Sequence, residues 1–160
     1  MYLGDTARCP YGTKSSDIVA QYACENGDFL VERGIKMMVV ACNTVSAIAL
    51  DALRVRYNMP VIGVIEPGAR AAVECSTNRR IGVIGTEATI ASSAYTKALR
   101  ILDPGVEVYT RPCPLFVPLV EEGWVENEVA RLTVAAYLGS LKRSGIDTLI
   151  LGCTHYPLLR

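Results

Sequence analysis

Short apolar runs alternate along this chain with stretches whose apolar residues recur every three or four positions. The runs KMMVVA (36–41), PVIGVI (60–65), RIGVIG (80–85), VEVYT (106–110) and DTLILG (147–152) predict strands, with a shorter one at 1–4. Between them the helical period predicts helices over 15–33, 45–57, 68–78, 88–102, 114–122 and 126–144. Ser15 or Ser16 suits the first N-cap, and Gly34 and Gly145 stand where helix-stop glycines stand. Strict alternation of strand and helix predicts βαβ units with right-handed crossovers, so an α/β fold with mostly parallel sheets flanked by helices. The near-continuous apolar character of the strands predicts that both their faces are covered.

One stretch of this pattern occurs twice. GIKMMVVACNT (34–44) lies over GIDTLILGCTH (145–155) without a gap, so that Gly34 matches Gly145 and Cys42 matches Cys153. Any helix-Gly-strand unit shares the glycine and the apolar residues; the matched cysteine is the more specific part. Two pseudo-symmetric lobes, each with a thiol at the same place, would face each other across a cleft. The segment 61–66 reads as the crossover, which divides the chain into a first lobe over 1–62 and a second over 63–160.

Composition narrows the field. The chain has 160 residues, enough for one domain or two small lobes. Sixteen basic residues balance sixteen acidic ones and no basic block occurs, which argues against nucleic acid or an anionic membrane as main partner. No apolar run reaches the roughly 20 residues of a membrane span. The start, MYLGDTAR, has no signal-peptide core, so a cytoplasmic location is expected. The cysteines at 9, 24, 42, 75, 113 and 153 have no paired spacing, as expected of reduced thiols.

Ligands of open α/β sheets bind beyond the carboxyl ends of the strands, where Cys42 and Cys153 both fall. A helix N-terminus there would lower a thiol pKa from about 8.5, and nearby N–H groups with Asn43, Thr44 and Thr154 could hold a carboxylate. Two acid/base groups on opposite sides of one carbon suit inversion of a stereocentre. Pyridoxal phosphate would need a Schiff-base lysine, and Lys14, Lys36, Lys97 and Lys142 all fall in unsuitable places, so no cofactor is expected. No metal is expected either, because Cys153-x-His155 offers only two ligands. His155, the only histidine, reads as a proton donor or a tuner of Cys153, or else as a structural residue. Thr86 and Thr89 in GVIGTEATI open a helix without the G-x-G-x-x-G fingerprint; they suit a plain turn or a carboxylate or amino contact. Asp5 in DTARCPYG lies where a cleft residue would, or serves the turn; Cys9, Cys24, Cys75 and Cys113 read as structural. Glu121 and Glu122 in PLVEEGW have the look of a solvated face.

Six segments, DTARCPYG, ACNTVSA, PVIGVIEPGA, IGVIGTEATI, CPLFVPLVEEGW and LGCTHYPLL, resemble in order the motifs of the glutamate racemases, within the cofactor-independent aspartate/glutamate racemase superfamily. The resemblance runs from residue 5 to 159. It implies two α/β lobes with the site between them, interconversion of L- and D-glutamate, and D-glutamate supply for peptidoglycan. It also implies Cys42 and Cys153 as catalytic acid/base pair, with Asp5, Glu121 and His155 assisting proton transfer or ammonium binding. Glu121 and Glu122 are not separated by it. Pro10, Tyr11, Gly12, Asn43, Thr44, Thr86, Thr89 and Thr154 match substrate-contacting positions. Cys9 departs from the family, where a larger apolar residue is usual, and Val45 replaces an alanine. The family's earlier strand with Asp-Ser-Gly and its segments beyond the second cysteine have no counterpart, so an internal fragment with an incomplete first lobe is expected. An aspartate or other small-acid racemase, an inactive amino-acid-binding fragment and, less well, a thiol hydrolase are the competing readings. A homodimer is the assembly to test.

Overall fold

The computed structural model describes residues 1–159. After a 3-10 turn at Thr6–Arg8 the order is α1 (Ser16–Val31), β1 (Met38–Val40), α2 (Asn43–Ile48), α3 (Leu50–Arg56) and β2 (Val61–Gly63). Then come α4 (Ile65–Cys75), β3 (Arg80–Gly85), α5 (Glu87–Ala91), α6 (Ala94–Leu102), β4 (Glu107–Pro112), α7 (Phe116–Glu121), α8 (Glu128–Arg143) and β5 (Thr148–Gly152). A second 3-10 turn covers Tyr156–Leu159. Strands β1 and β2 form one parallel pair, and β4-β3-β5 form a second parallel sheet in that order. This is the α/β architecture with parallel sheets and flanking helices that the alternation predicts.

The helix ends follow local chemistry. The Ser15 side chain caps α1 by accepting from the Ile18 N–H (3.4 Å), and Asn127 caps α8 by accepting from the Ala130 N–H (2.9 Å). Gly34 and Gly145 leave these helices at φ +72° and +70°, a region that costs a glycine little.

Four expectations change. Residues 1–4 form no strand; Met1 and Tyr2 are 80% and 91% exposed and no neighbouring strand pairs with them. The predicted 45–57 helix is two, α2 and α3, meeting at Ala49, and 88–102 breaks at Ser93, which has φ +57°. Helix α4 begins at Ile65 rather than 68, because Pro67 sits in its first turn, where a missing N–H costs nothing. Finally, among the described residues only β3 is buried on both faces.

That last point follows from the cores. Ile81, Val83 and Ile84 of β3 are 0–2% exposed, with α4 and α6 contributing Ala69 and Leu99 to one side. On the other side Ile84 joins Phe116, Val117 and Tyr156. Strands β1 and β2 pack Met38, Val40 and Val61 against Val19 and Ala23 of α1 and Leu53 of α3. Their other face carries Val39 and Ile62, 60% and 43% exposed, with no cover among the described residues. Burial of each such aliphatic side chain is worth about 1.5–3 kcal/mol. The cores change over between Val61 and Ile65.

Asp147, just before β5, ties the turn between α4 and β3. Its carboxylate accepts from the Ser76 hydroxyl (2.7 Å) and from the backbone N–H groups of Thr77 (2.7 Å) and Asn78 (2.8 Å). Among the described residues no helix is long and apolar enough to cross a membrane.

Candidate active site

A cleft of about 620 Å³ opens at the carboxyl ends of the strands of both sheets. Cys42 lies on its wall two residues after β1, at the N-cap of α2, and Cys153 lies there immediately after β5. The repeated sequence therefore brings its two thiols to one cavity, from two different sheets.

The surroundings of the thiols differ. Burial pushes the Cys42 thiol up, although the N–H groups of Val45 and Thr44 and the Thr44 hydroxyl oppose it. Burial likewise raises Cys153, to about 11, against N–H bonds from His155 and Tyr156; the nearby Cys42 and Cys9 add to the rise. The expected lowering by helix N-termini is thus present in direction but is outweighed by desolvation. Cys153 also has a side-chain partner: its Sγ lies 3.7 Å from His155 Nδ1. The other ring nitrogen, Nε2, lies 2.5 Å from Glu121 Oε1 at the end of α7. A carboxylate only accepts, so Nε2 carries its proton toward Glu121, and in the neutral ring Nδ1 presents a lone pair to the thiol. Glu121, not Glu122, makes this contact; Glu122 is the exposed C-cap of α7.

Three hydroxyls join the sheets behind the cleft. Thr44 Oγ1 lies 3.0 Å from Thr86 Oγ1 and 3.1 Å from Thr89 Oγ1, and Thr86 and Thr89 are 2.9 Å apart. Thr86 also caps α5 through the Thr89 N–H. Thr44 and Thr86 line the cleft, whereas Thr89 does not; 2% exposed, it acts through the other two. Asn43 lines the cleft with its Oδ1 held by the Tyr95 hydroxyl of α6 (2.7 Å). Thr154 lines it from the β5 side.

The remaining wall is the segment of Asp5, Pro10, Tyr11 and Gly12. Burial would raise the Asp5 carboxyl, but bonds from Arg8, Tyr11 and Asn26 outweigh it and hold it below the ordinary value. Arg8 Nε is 2.7 Å from the carboxylate and Asn26 Nδ2 3.3 Å, with the Tyr11 hydroxyl also donating to it. Asp5 is therefore a fixed anion with three donors already on it. Gly12 is fitted against Thr86: a Cβ there would stand 2.3 Å from the Thr86 Cβ. Only a glycine allows this approach.

Every predicted site residue except Glu121 and Thr89 lines the main cleft; Glu121 borders an adjoining hollow of about 310 Å³ with Thr154 and His155. Sequence reading missed Arg8, Asn26 and Tyr95. Arg8 follows Asp5 by three residues, a spacing that could have been noticed, but Asn26 and Tyr95 meet their partners across 21 and 52 residues.

Residues 2–160 match the family model described as Asp/Glu/Hydantoin racemase. The chain is 61% identical over 160 residues to the glutamate racemase of Geobacter metallireducens, covering all of this chain and 59% of that protein. Among solved structures it is similar to a glutamate racemase isoform of Bacillus anthracis, with a TM-score of 0.94, 46% identity and coverage of 98% of this chain and 59% of the other. It is also similar to the Francisella tularensis glutamate racemase solved with D-glutamate, with a TM-score of 0.91, 41% identity and coverage of 98% and 59%. The chain thus spans about three-fifths of the length of the relatives it matches.

Proposed function

Since the chain belongs to the Asp/Glu/Hydantoin racemase family, we propose that its cleft performs glutamate racemisation, the interconversion of L- and D-glutamate by proton transfer at Cα between Cys42 and Cys153. The observation that carries this reading is the meeting of both thiols in one cavity of about 620 Å³. One thiolate removes the Cα proton from one face, and the opposite thiol delivers its own proton to the other. The thiol and thiolate have then exchanged places, so each direction of reaction starts from the protonation state the other leaves.

His155 accepts the Cys153 thiol proton through Nδ1, and the Glu121 carboxylate stabilises the resulting imidazolium from the far side. Hydrogen bonds from Thr44 and Val45 favour the Cys42 thiolate, against the burial that raises its pKa. Asn43, Thr44, Thr86 and Thr154 offer polar contacts to the substrate carboxylates. Asp5 supplies a fixed negative charge for the ammonium group and holds Tyr11, so that Pro10, Tyr11 and Gly12 form one wall. Thr89 positions Thr44 and Thr86. The change of core between Val61 and Ile65 supports lobes over 1–62 and 63–160. The free state of all six cysteines fits a reducing, cytoplasmic setting, where the D-glutamate would feed peptidoglycan synthesis.

The full-length protein incubated with L-glutamate in heavy water, without pyridoxal phosphate, is expected to form D-glutamate carrying deuterium at Cα. Cys42→Ala and Cys153→Ala should each abolish this. No D-glutamate, or undiminished turnover in either variant, overturns the reading. Faster turnover of aspartate than of glutamate would reassign the substrate. Calorimetric binding of glutamate without Cα exchange would make the cleft a binding module.

A further inference from the structure

The sequence offers a metal only Cys153 and His155 at short spacing, but the fold assembles a different set. Cys9 follows the first 3-10 turn, Glu121 ends α7 and His155 follows β5. One donor atom from each, a thiol sulfur, a carboxylate oxygen and an imidazole nitrogen, lies within 4.8 Å of the other two. We propose that Cys9, Glu121 and His155 form a binding site for a thiophilic divalent cation of the zinc type at the edge of the cleft.

Three observations lead there. The donor set is the mixture of sulfur, nitrogen and oxygen that zinc accepts. The three donors lie within 4.8 Å of one another, with His155 Nε2 and Glu121 Oε1 at 2.5 Å, and side-chain shifts of about an ångström bring them to the roughly 3.3–3.8 Å set by bonds of about 2.0–2.3 Å in a tetrahedron. Cys9 and Glu121 are both exposed, so rotamer changes at the surface close the remaining gap without moving a core residue. Three protein ligands leave the fourth position to water, as in an open zinc site.

Binding releases the Cys9 thiol proton, moves the His155 ring proton from Nε2 to Nδ1 and inserts the cation into the 2.5 Å contact between Nε2 and Glu121. The imidazole is then no longer free to serve Cys153. Occupancy therefore switches the cleft off, through a thiol that the proposed racemisation does not use.

Cobalt(II) is the probe. Titrated into the full chain under reducing conditions, it should produce a thiolate-to-cobalt charge-transfer band that saturates at one equivalent and is displaced by zinc. Cys9→Ser and Cys9→Val should lose the band, while Cys42→Ser and Cys113→Ser keep it. Glu121→Gln and His155→Asn should weaken binding by roughly tenfold or more. These two also test the site if the Cys9 variants fail to fold by circular dichroism. Absence of a band in excess cobalt overturns the proposal. So does a band that survives Cys9→Ser and disappears in Cys153→Ser, which would place the cation on the cleft thiol instead.

Discussion

Replacing Gly12 with alanine tests how tightly the two halves of the cleft are fitted. The backbone of Gly12 does not need φ above zero, since among the described glycines only Gly34, Gly123 and Gly145 do. At an unobstructed site of that kind alanine stabilises by about 0.4–1 kcal/mol through the unfolded chain. Here the new Cβ would lie 2.3 Å from Thr86 Cβ, 2.4 Å from Cγ2 and 2.8 Å from Oγ1. Thr86 is 7% exposed, and its hydroxyl is engaged by Thr44, by Thr89 and by the Thr89 N–H at 3.2 Å. Displacing it forfeits about 1 kcal/mol of helix cap and adds about 1–3 kcal/mol of overpacking. Moving the 9–13 segment instead breaks the Ala88 N–H bond to Gly12 O (3.3 Å), about 0.5–1.5 kcal/mol, and strains the Tyr11–Asp5 link. Gly12→Ala should therefore destabilise by about 2 kcal/mol, moving the urea midpoint down by about 1 M at an m-value near 2 kcal/mol/M. In a Thr86→Gly background, itself only a few tenths of a kcal/mol short of cap, most of that penalty should vanish as a coupling of about 1 kcal/mol or more. A Gly12→Ala chain as stable as the parent, or strict additivity with Thr86→Gly, would refute the contact.

Three other outcomes follow from single contacts. Tyr95→Phe removes the donor to Asn43 Oδ1 and should cost about 1–3 kcal/mol by urea denaturation, with α2 losing hydrogen-exchange protection. Asp147 is held below the ordinary carboxyl value by the Ser76 hydroxyl first and then by the Asn78 and Thr77 N–H groups. Its contribution is complete above the unfolded value of 3.8 and falls away as pH drops through the lower folded value, so Asp147→Asn should flatten the acid side of the stability profile. With Cys153 raised to about 11, about 1% of it is thiolate at pH 9, against about three-quarters for a free thiol at about 8.5. Its alkylation by iodoacetamide, followed by peptide mass spectrometry, should keep rising to a midpoint near pH 11; a plateau at pH 9 would contradict the burial.

How far the pattern of residues could be read depended on the range of the interactions. The parallel α/β architecture and the helix ends at Gly34 and Gly145 are set within a few residues, by period and by glycine's access to positive φ, and both were legible. The echo between 34–44 and 145–155 was legible too, but only in part. Its glycines share a conformation, at φ +72° and +70°, and its thiols share a cavity. The strands between them bury opposite residues: Met38 and Val40 in β1, yet Ile150 rather than Leu149 and Leu151 in β5. Burial depends on which helices cover which face, and the residue string does not carry that. The same holds for the site. Cys42 and Cys153 announce themselves beside their strands, while the donors that fix Asp5 and Asn43 come from Asn26 and Tyr95 on distant helices.

The two sides of the cleft are alike in sequence and unlike in chemistry, and that difference bears on how two buried thiols could work as a pair. Desolvation favours the protonated form of both, and each thiolate raises the other's cost, since Cys42 adds to the rise at Cys153. Two thiolates together are the least favoured state, and two thiols together contain no base. On the proposed reaction the working state is one of each, so something must draw a single proton away. At Cys153 that something is a side chain: His155 Nδ1 at 3.7 Å, backed by Glu121 at 2.5 Å on the far nitrogen. At Cys42 it is only hydrogen bonding, from two N–H groups and the Thr44 hydroxyl. Cys153 is therefore the side with a protein base in place for its proton, although burial holds the thiol protonated in the absence of substrate. On the proposed reaction Cys42, which has no such base, depends on the charge that substrate brings. A cation held by Cys9, Glu121 and His155 would remove the base from one side and leave the other untouched.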